Sequence, residues 1–304
     1  MDIGITLGLG LDGPQTFEDV VDEAAAVHAA GFTTAWAAQI PGGWDALTLL
    51  AAVGNRVPDV GLGTAIVPTI PNHPLALAGQ ALSLQAATGN RLTLGVGVSH
   101  GPIITGMYGL PFDRPARGLR EYLTVLQPLL RGEPVDHDGE TLRVAGAIGV
   151  AGAEPPPVLV AALGPAMLKV AGELSEGTIA TWVGPQSLED FVVPRLTAAA
   201  HAAGRPDPRV IVSLPIVLTD DEDAARAQVV TALGGAHDLP AYRAMLDRES
   251  PGTSVGDVTL AGDETSLARQ IARLEDAGAT ELIPVPVGGP EDKARTLAFL
   301  ATLM

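Results

Sequence analysis

From Gly61 to Pro74 the chain reads Gly-Leu-Gly-Thr-Ala-Ile-Val-Pro-Thr-Ile-Pro-Asn-His-Pro, and from Gly89 to Gly101 it reads Gly-Asn-Arg-Leu-Thr-Leu-Gly-Val-Gly-Val-Ser-His-Gly. The first stretch is a buried strand, a polar elbow and a helix opened at His73-Pro74. The second is another buried strand, ending in small residues and a histidine. Two such strand ends lying side by side predict a pocket in an α/β barrel, where ligands sit at the carboxyl ends of the strands.

Outward from this centre, apolar runs of strand length alternate with amphipathic helical stretches, the pattern of parallel strands joined by helices. Strands are expected near 3–9, 33–38, 60–66, 91–97, 157–163, 177–182, 209–218 and 281–286, and helices near 16–30, 44–54, 74–88, 115–131, 165–174, 187–203 and 290–302. Eight strands predict a (β/α)8 TIM barrel. Barrel strands are covered on both faces, so a run such as Val210 to Leu218 can be nearly continuous in apolar residues. Thr16, with Glu18 and Asp19 behind it, reads as a helix N-cap. Two insertions are expected. One follows strand 4, where Asp138-Gly139 between apolar residues signals a hairpin; the acids around His137 do not make a calcium loop. The other lies between strands 7 and 8, where segments near 221–233, 239–248 and 264–277 hold at least one extra helix. Such barrels commonly occupy about 250 residues as one unit, so residues 1–304 are read as a single domain.

Composition narrows the function classes. With 47% hydrophobic residues the chain can bury a large core, and no segment has the apolar length of a membrane span. The N-terminus reads as a first strand and not as a signal peptide. The chain has no cysteine, and a cytoplasmic location is expected. A formal charge of −17 argues against nucleic acid. The two lysines, Lys169 and Lys293, are both on expected helices and form no basic pocket for a phosphorylated substrate.

Gly8-Leu9-Gly10-Leu11-Asp12-Gly13 matches the spacing of a dinucleotide-binding turn, but the acid that should end the second strand is replaced by Ala37-Ala38-Gln39, and Pro14 follows the third glycine. The better anion seat is Ala161-Ala162-Leu163-Gly164-Pro165. There Gly164 admits a ligand close to the backbone, Pro165 suits a first helical turn, and the free N–H groups of that turn favour phosphate. Of six histidines, His28 and His201 fall on helices and His137 and His237 in loops, where solvation is the default. His73 is read as packing and capping. His100 differs, because it ends the fourth strand. A group titrating near neutrality there could exchange a proton with a bound ligand, or it could only hydrogen-bond it.

The central stretch resembles the bacterial luciferase-like superfamily, and within it the actinobacterial oxidoreductases that use the deazaflavin coenzyme F420. Further likeness lies in Ala35 to Gln39 with Trp44, in Phe112 to Arg117, in Val158 to Met167, and in Ala171 to Leu174 running into Gly177 to Trp182. The resemblance implies an oxidoreductase that moves a hydride between F420 and a small organic substrate at the barrel mouth. It implies a bulge with a non-proline cis peptide at Ala65-Ile66, pressing on the cofactor ring. Cofactor contacts would come from Thr64, Ala65, Ile66, Val98, Ser99, His100, Ala162, Leu163, Gly164, Pro165 and Thr181. Catalytic roles fall to His100, Gln39 and Trp44, with Trp44 and Trp182 walling the substrate pocket. Gln39-Ile40 stands where the family's sugar-phosphate dehydrogenases have an acid and a histidine, so that chemistry is disfavoured. Two rivals remain: an FMN-dependent monooxygenase and a non-catalytic F420-binding protein. A homodimer is expected, with no metal, nucleic acid or membrane partner.

Overall fold

Asp2–Ile3 and Ile5–Leu7 form one strand interrupted at Gly4, and the interruption closes the sheet on itself. The first half pairs with Glu281–Pro286 and the second with Thr34–Ala37. This computed structural model describes residues 1–9, 13 and 15–304. From Thr34–Ala37 the parallel ladder continues through Gly61–Thr64 with Val67–Pro68, Leu92–Gly97, Val158–Val160, Gly177–Thr181, Arg209–Leu218 and Glu281–Pro286. These are the eight expected staves, in the expected order, among the described residues. The short strand Leu260–Gly262 adds a further pairing to the end of Arg209–Leu218. The barrel is therefore a TIM barrel. The glycine-rich turn of residues 8–13 and its following proline include Gly10, Leu11, Asp12 and Pro14, which lie outside the described residues.

The barrel interior is filled by Trp36, Leu159, Ile179, Ile211 and Ile283, with Ala65 and Ile66 packed on top. Trp36 is fully buried, and two glycines make its room. A Cβ on Gly63 would lie 2.2 Å from the Trp36 ring and one on Gly4 2.6 Å from its indole nitrogen. The indole N–H donates to the Glu281 carboxylate at 3.0 Å, and Arg209 donates to the other oxygen at 2.9 Å. The larger apolar core lies outside the barrel, between the sheet and the surrounding helices.

The helices form where expected: Phe17–Ala29, Ala46–Arg56, Pro74–Thr88, Pro115–Leu130, Pro165–Leu174, Val193–Ala202 and Pro290–Ala301. Local chemistry starts them. Thr16 and Asp19 form a reciprocal capping box, Asp45 accepts from the Thr48 amide, and the His73 ring accepts from the Leu75 amide. Each such cap is worth about 1 kcal/mol.

Both insertions are present. After the fourth strand, Val135–Asp138 and Arg143–Gly146 form an antiparallel hairpin, tied down by Glu121, which accepts from the amides of residues 140, 141 and 142. His137 lies on this hairpin and not in a solvated loop, 3.8 Å from Glu121. After the seventh strand come helices Glu222–His237, Pro240–Glu249 and Glu264–Asp276. The helix expected near 187–203 begins as a π-helical turn, Leu188–Val192. The short helix Gly101–Gly106 was not expected, being too brief to show a periodic pattern.

Candidate active site

The third strand breaks at the mouth of the barrel. Its ladder to Leu92–Gly97 runs through Leu62 and Gly63, stops, and resumes one bulge later at Val67 and Pro68. The peptide Ala65-Ile66 within the bulge is cis. The Thr64 hydroxyl fills the break: it donates to the Gly95 carbonyl and accepts from the Gly95 amide, both at 2.8 Å. Thr64, expected among the cofactor contacts, is wholly buried with its hydroxyl so engaged, and its side chain braces the bulge. The Ala162 side chain is likewise fully buried, whereas Ala161 and Leu163 keep partly exposed surface.

Beyond the brace the chain turns outward. The Ala65 amide donates to Ala37 O and the Gln39 amide to Ile66 O, which ties the second strand's exit to the bulge. The Ile66 side chain lies across the ends of strands four and five, since a Cβ on Gly97 would meet it at 3.2 Å and Ala161 at 3.1 Å. Gly97 therefore leaves room for the Ile66 side chain beside Ala161. Ala65 and Ile66 keep partly exposed surface there, as do Gln39, Val98, Ser99 and Leu163.

The fourth strand leaves the barrel through Ser99, at φ 61°, and the sixth through Trp182, at φ 57°. Left-handed backbone is uncommon outside glycine, asparagine and aspartate, and its cost is met where the surroundings hold a functional shape. These two turns bring His100 and Trp182 to a common neighbour. The ring of Tyr242, from helix Pro240–Glu249, lies 4.7 Å from the His100 ring and 4.5 Å from the Trp182 ring, centroid to centroid. Its phenol shares a hydrogen bond with the Thr181 hydroxyl, and burial pushes its pKa up to about 12. Burial also lowers the His100 pKa below the ordinary imidazole value. His100 sits at the N-cap of Gly101–Gly106 but makes no side-chain cap bond.

Gly164 is exposed at the N-cap of Pro165–Leu174, with extended backbone, no side-chain cap and open space where a Cβ would go. The first amides of this ten-residue helix thus face outward without a protein side chain to receive them. Trp44 stands apart from His100 and packs edge-on against Phe17, ring centroids 5.4 Å apart, beside Gly8 at the first strand's exit. His100, Thr181 and Trp182 form one group and Gln39, Ala65 and Ile66 a second. Two clefts lie elsewhere: one of about 720 Å³ between Arg114 and the hairpin residues 139–143, and one of about 180 Å³ between Val217, Val229 and Val287.

The luciferase-like monooxygenase family profile matches residues 3–302. The chain belongs to this family. A Mycobacterium tuberculosis protein assigned provisionally as a coenzyme F420-dependent oxidoreductase is 28% identical, with 99% of this chain and 100% of that protein covered. An F420-dependent secondary alcohol dehydrogenase, solved with an F420-acetone adduct, superposes with a TM-score of 0.82 at 16% identity, covering 100% of this chain and 98% of that one. The oxygenating component of 3,6-diketocamphane monooxygenase from Pseudomonas putida, solved with FMN, superposes with a TM-score of 0.78 at 18% identity, covering 99% and 97%. At such identities the solved structures share the fold.

Within this luciferase-like barrel, Tyr242 is the mouth residue that sequence reasoning missed. Its helix was expected near 239–248, but nothing local to the insertion says that Tyr242 returns to the end of the fourth strand. Among the described residues no cluster of His, Cys, Asp and Glu is built to hold a metal, and no helix is long and apolar enough to cross a membrane.

Proposed function

We propose that this chain is an oxidoreductase that binds coenzyme F420 across the mouth of the barrel and moves a hydride between it and a small organic substrate. The observation that carries the reading is the convergence of the Ala65-Ile66 bulge, the uncapped amides at Gly164 and the ring of His100 on one end of the barrel. The full-length mycobacterial relative favours F420.

The residues present suit such a cofactor. Ile66, held by the Thr64 brace and seated over Gly97, offers an apolar ledge for a flat ring, and Val98 and Ser99 border it. Leu163, Gly164 and Pro165 would receive a phosphate, since open amides and the positive end of a helix favour an anion despite the chain's overall acidity. When bound, F420 supplies the two-electron hydride chemistry. The protein orients the partners, excludes water and moves one proton. His100 is the group placed to do the last: held neutral by burial, it accepts a proton when a substrate is oxidised and, once protonated, returns it when a substrate is reduced. Gln39, at the second strand's exit, and Trp44, beside Gly8, would contact substrate. Trp182, packed on Tyr242, would wall the substrate pocket.

A second reading keeps the site and exchanges the cofactor for FMN, with monooxygenase chemistry, as the FMN-bound structural neighbour suggests. Titration of the protein with F420 and with FMN, followed by quenching of tryptophan fluorescence, separates them: F420 binds more tightly. Micromolar FMN binding with no response to F420 would overturn the assignment. Turnover with a panel of ketones, activated alkenes and quinones separates an enzyme from a non-catalytic F420 carrier. The reading takes residues 1–304 as one domain, which the span of the family profile supports. It takes the source as actinobacterial, on the mycobacterial likeness, the location as cytoplasmic, and the protein as a homodimer, which sedimentation would test.

A further inference from the structure

Helix Pro240–Glu249 belongs to the insertion after the seventh strand, yet it also reaches the exits of the fourth and sixth strands. It is fastened there at three points. Glu249 accepts from the Ser187 amide at 2.7 Å, the Arg248 guanidinium lies 3.7 Å from the centre of the Phe191 ring, and the Ser187 hydroxyl reaches the Met245 carbonyl. Gly184 admits the Glu249 carboxylate, which a Cβ there would strike at 2.6 Å. From this anchored helix Tyr242 enters the mouth, where Thr181 holds its hydroxyl and Trp182 backs its ring.

We propose that Tyr242 is a positioning residue, whose ring holds the His100 imidazole in place at the mouth and shields it from water. The proposal rests on His100 as the proton-handling group. The ring contact, at 4.7 Å and an angle of 56°, packs an imidazole that makes no cap bond to its own helix. Among the described residues Tyr242 is the titratable side chain in ring contact with His100, and no charged side chain contributes to the lowered basicity of the imidazole, whose cause is burial. Thr181 and Trp182, the other partners of Tyr242, carry no charge. A ring that takes up this position from an insertion lets the loop region set the state of a barrel residue.

The test is the titration of His100 in the cofactor-free chain, read from deuterium exchange at the imidazole carbon between the two nitrogens, peptide by peptide, by mass spectrometry. Tyr242→Ala should raise the His100 midpoint toward the ordinary value of about 6.5 and speed its exchange. Tyr242→Phe, which keeps the ring and loses only the hydroxyl, should restore the wild-type midpoint. An unchanged midpoint in Tyr242→Ala would overturn the proposal. Should that variant not fold, the wild-type protein decides alone: a nuclear Overhauser contact between the His100 and Tyr242 rings is expected, and its absence overturns the proposal. Neither measurement uses F420, so a failure of the cofactor assignment would appear in the binding titration and leave this result standing. In the loaded enzyme the alkaline or acidic limb of the rate profile should move with the His100 midpoint in Tyr242→Ala and return in Tyr242→Phe.

Discussion

The indole of Trp36 occupies the volume that a side chain at Gly63 would need, with Cε3 of the ring 2.2 Å from where the Cβ would stand. Trp36 cannot swing away, because its N–H is held by Glu281 and its faces by Leu159, Ile179, Ile211 and Ile283. Gly63→Ala should therefore destabilise the barrel by about 1–3 kcal/mol, the usual cost of overpacking. Gly164→Ala, into open space on extended backbone, should leave stability within about 0.5 kcal/mol of wild type. Urea unfolding of the two variants checks the contrast, and equal midpoints would contradict this packing.

Below the indole, Glu281 gives stability a pH dependence of definite sign. Burial raises its pKa, outweighing the opposing pull of Arg209 and of the Trp36 N–H. The folded state thus binds the proton more tightly than the unfolded chain. Stability from this group is fullest below the ordinary carboxylate value, about 4.3, and falls as pH climbs through the raised native value. Glu281→Gln cannot titrate, so the stability of the wild type relative to this variant should decline across that window. Parallel curves for the two proteins would remove Glu281 as the source.

How much of this was legible in the sequence follows from the range of the forces involved. The eight strands and their helices announce themselves through apolar runs and caps that act over a few residues, as at Thr16 and Asp19. The position of the bulge was legible through likeness to the family, and the cis peptide lies at Ala65-Ile66. The role of Thr64 was not, because a hydroxyl that bonds Gly95 looks in sequence like any polar residue at a strand's end. Nor was Tyr242, which reaches His100 only after an insertion folds back over 142 positions of chain, the difference between the two residue numbers.

The phosphate seat is open to a direct test. Gly164→Val should fold as wild type does, since the backbone there is extended and the space free. A branched side chain over the exposed amides would obstruct an anion that needs them. F420 affinity should fall on the order of 10-fold, the size of a lost hydrogen bond to a charged group, about 1.5 kcal/mol. Unchanged affinity in the folded variant would place the phosphate elsewhere.

His100→Ala asks whether the imidazole moves a proton or only holds the cofactor. If it moves the proton, turnover should fall on the order of 10²-fold with F420 affinity little changed, because general acid–base catalysis commonly contributes 10² to 10⁴. If it holds the cofactor, affinity should fall and turnover at saturation survive. The pH profile supplies the sign. Burial lowers the pKa of His100, so near neutrality the imidazole is mostly neutral and ready to act as a base. Oxidation of a substrate should accordingly rise with pH through the lowered value and then level off. Reduction, which needs the protonated ring, should instead decline through the same value. Both limbs should vanish in His100→Ala. A full-rate variant that keeps them would transfer the proton to another group, with half-exposed Tyr108 the first to replace next.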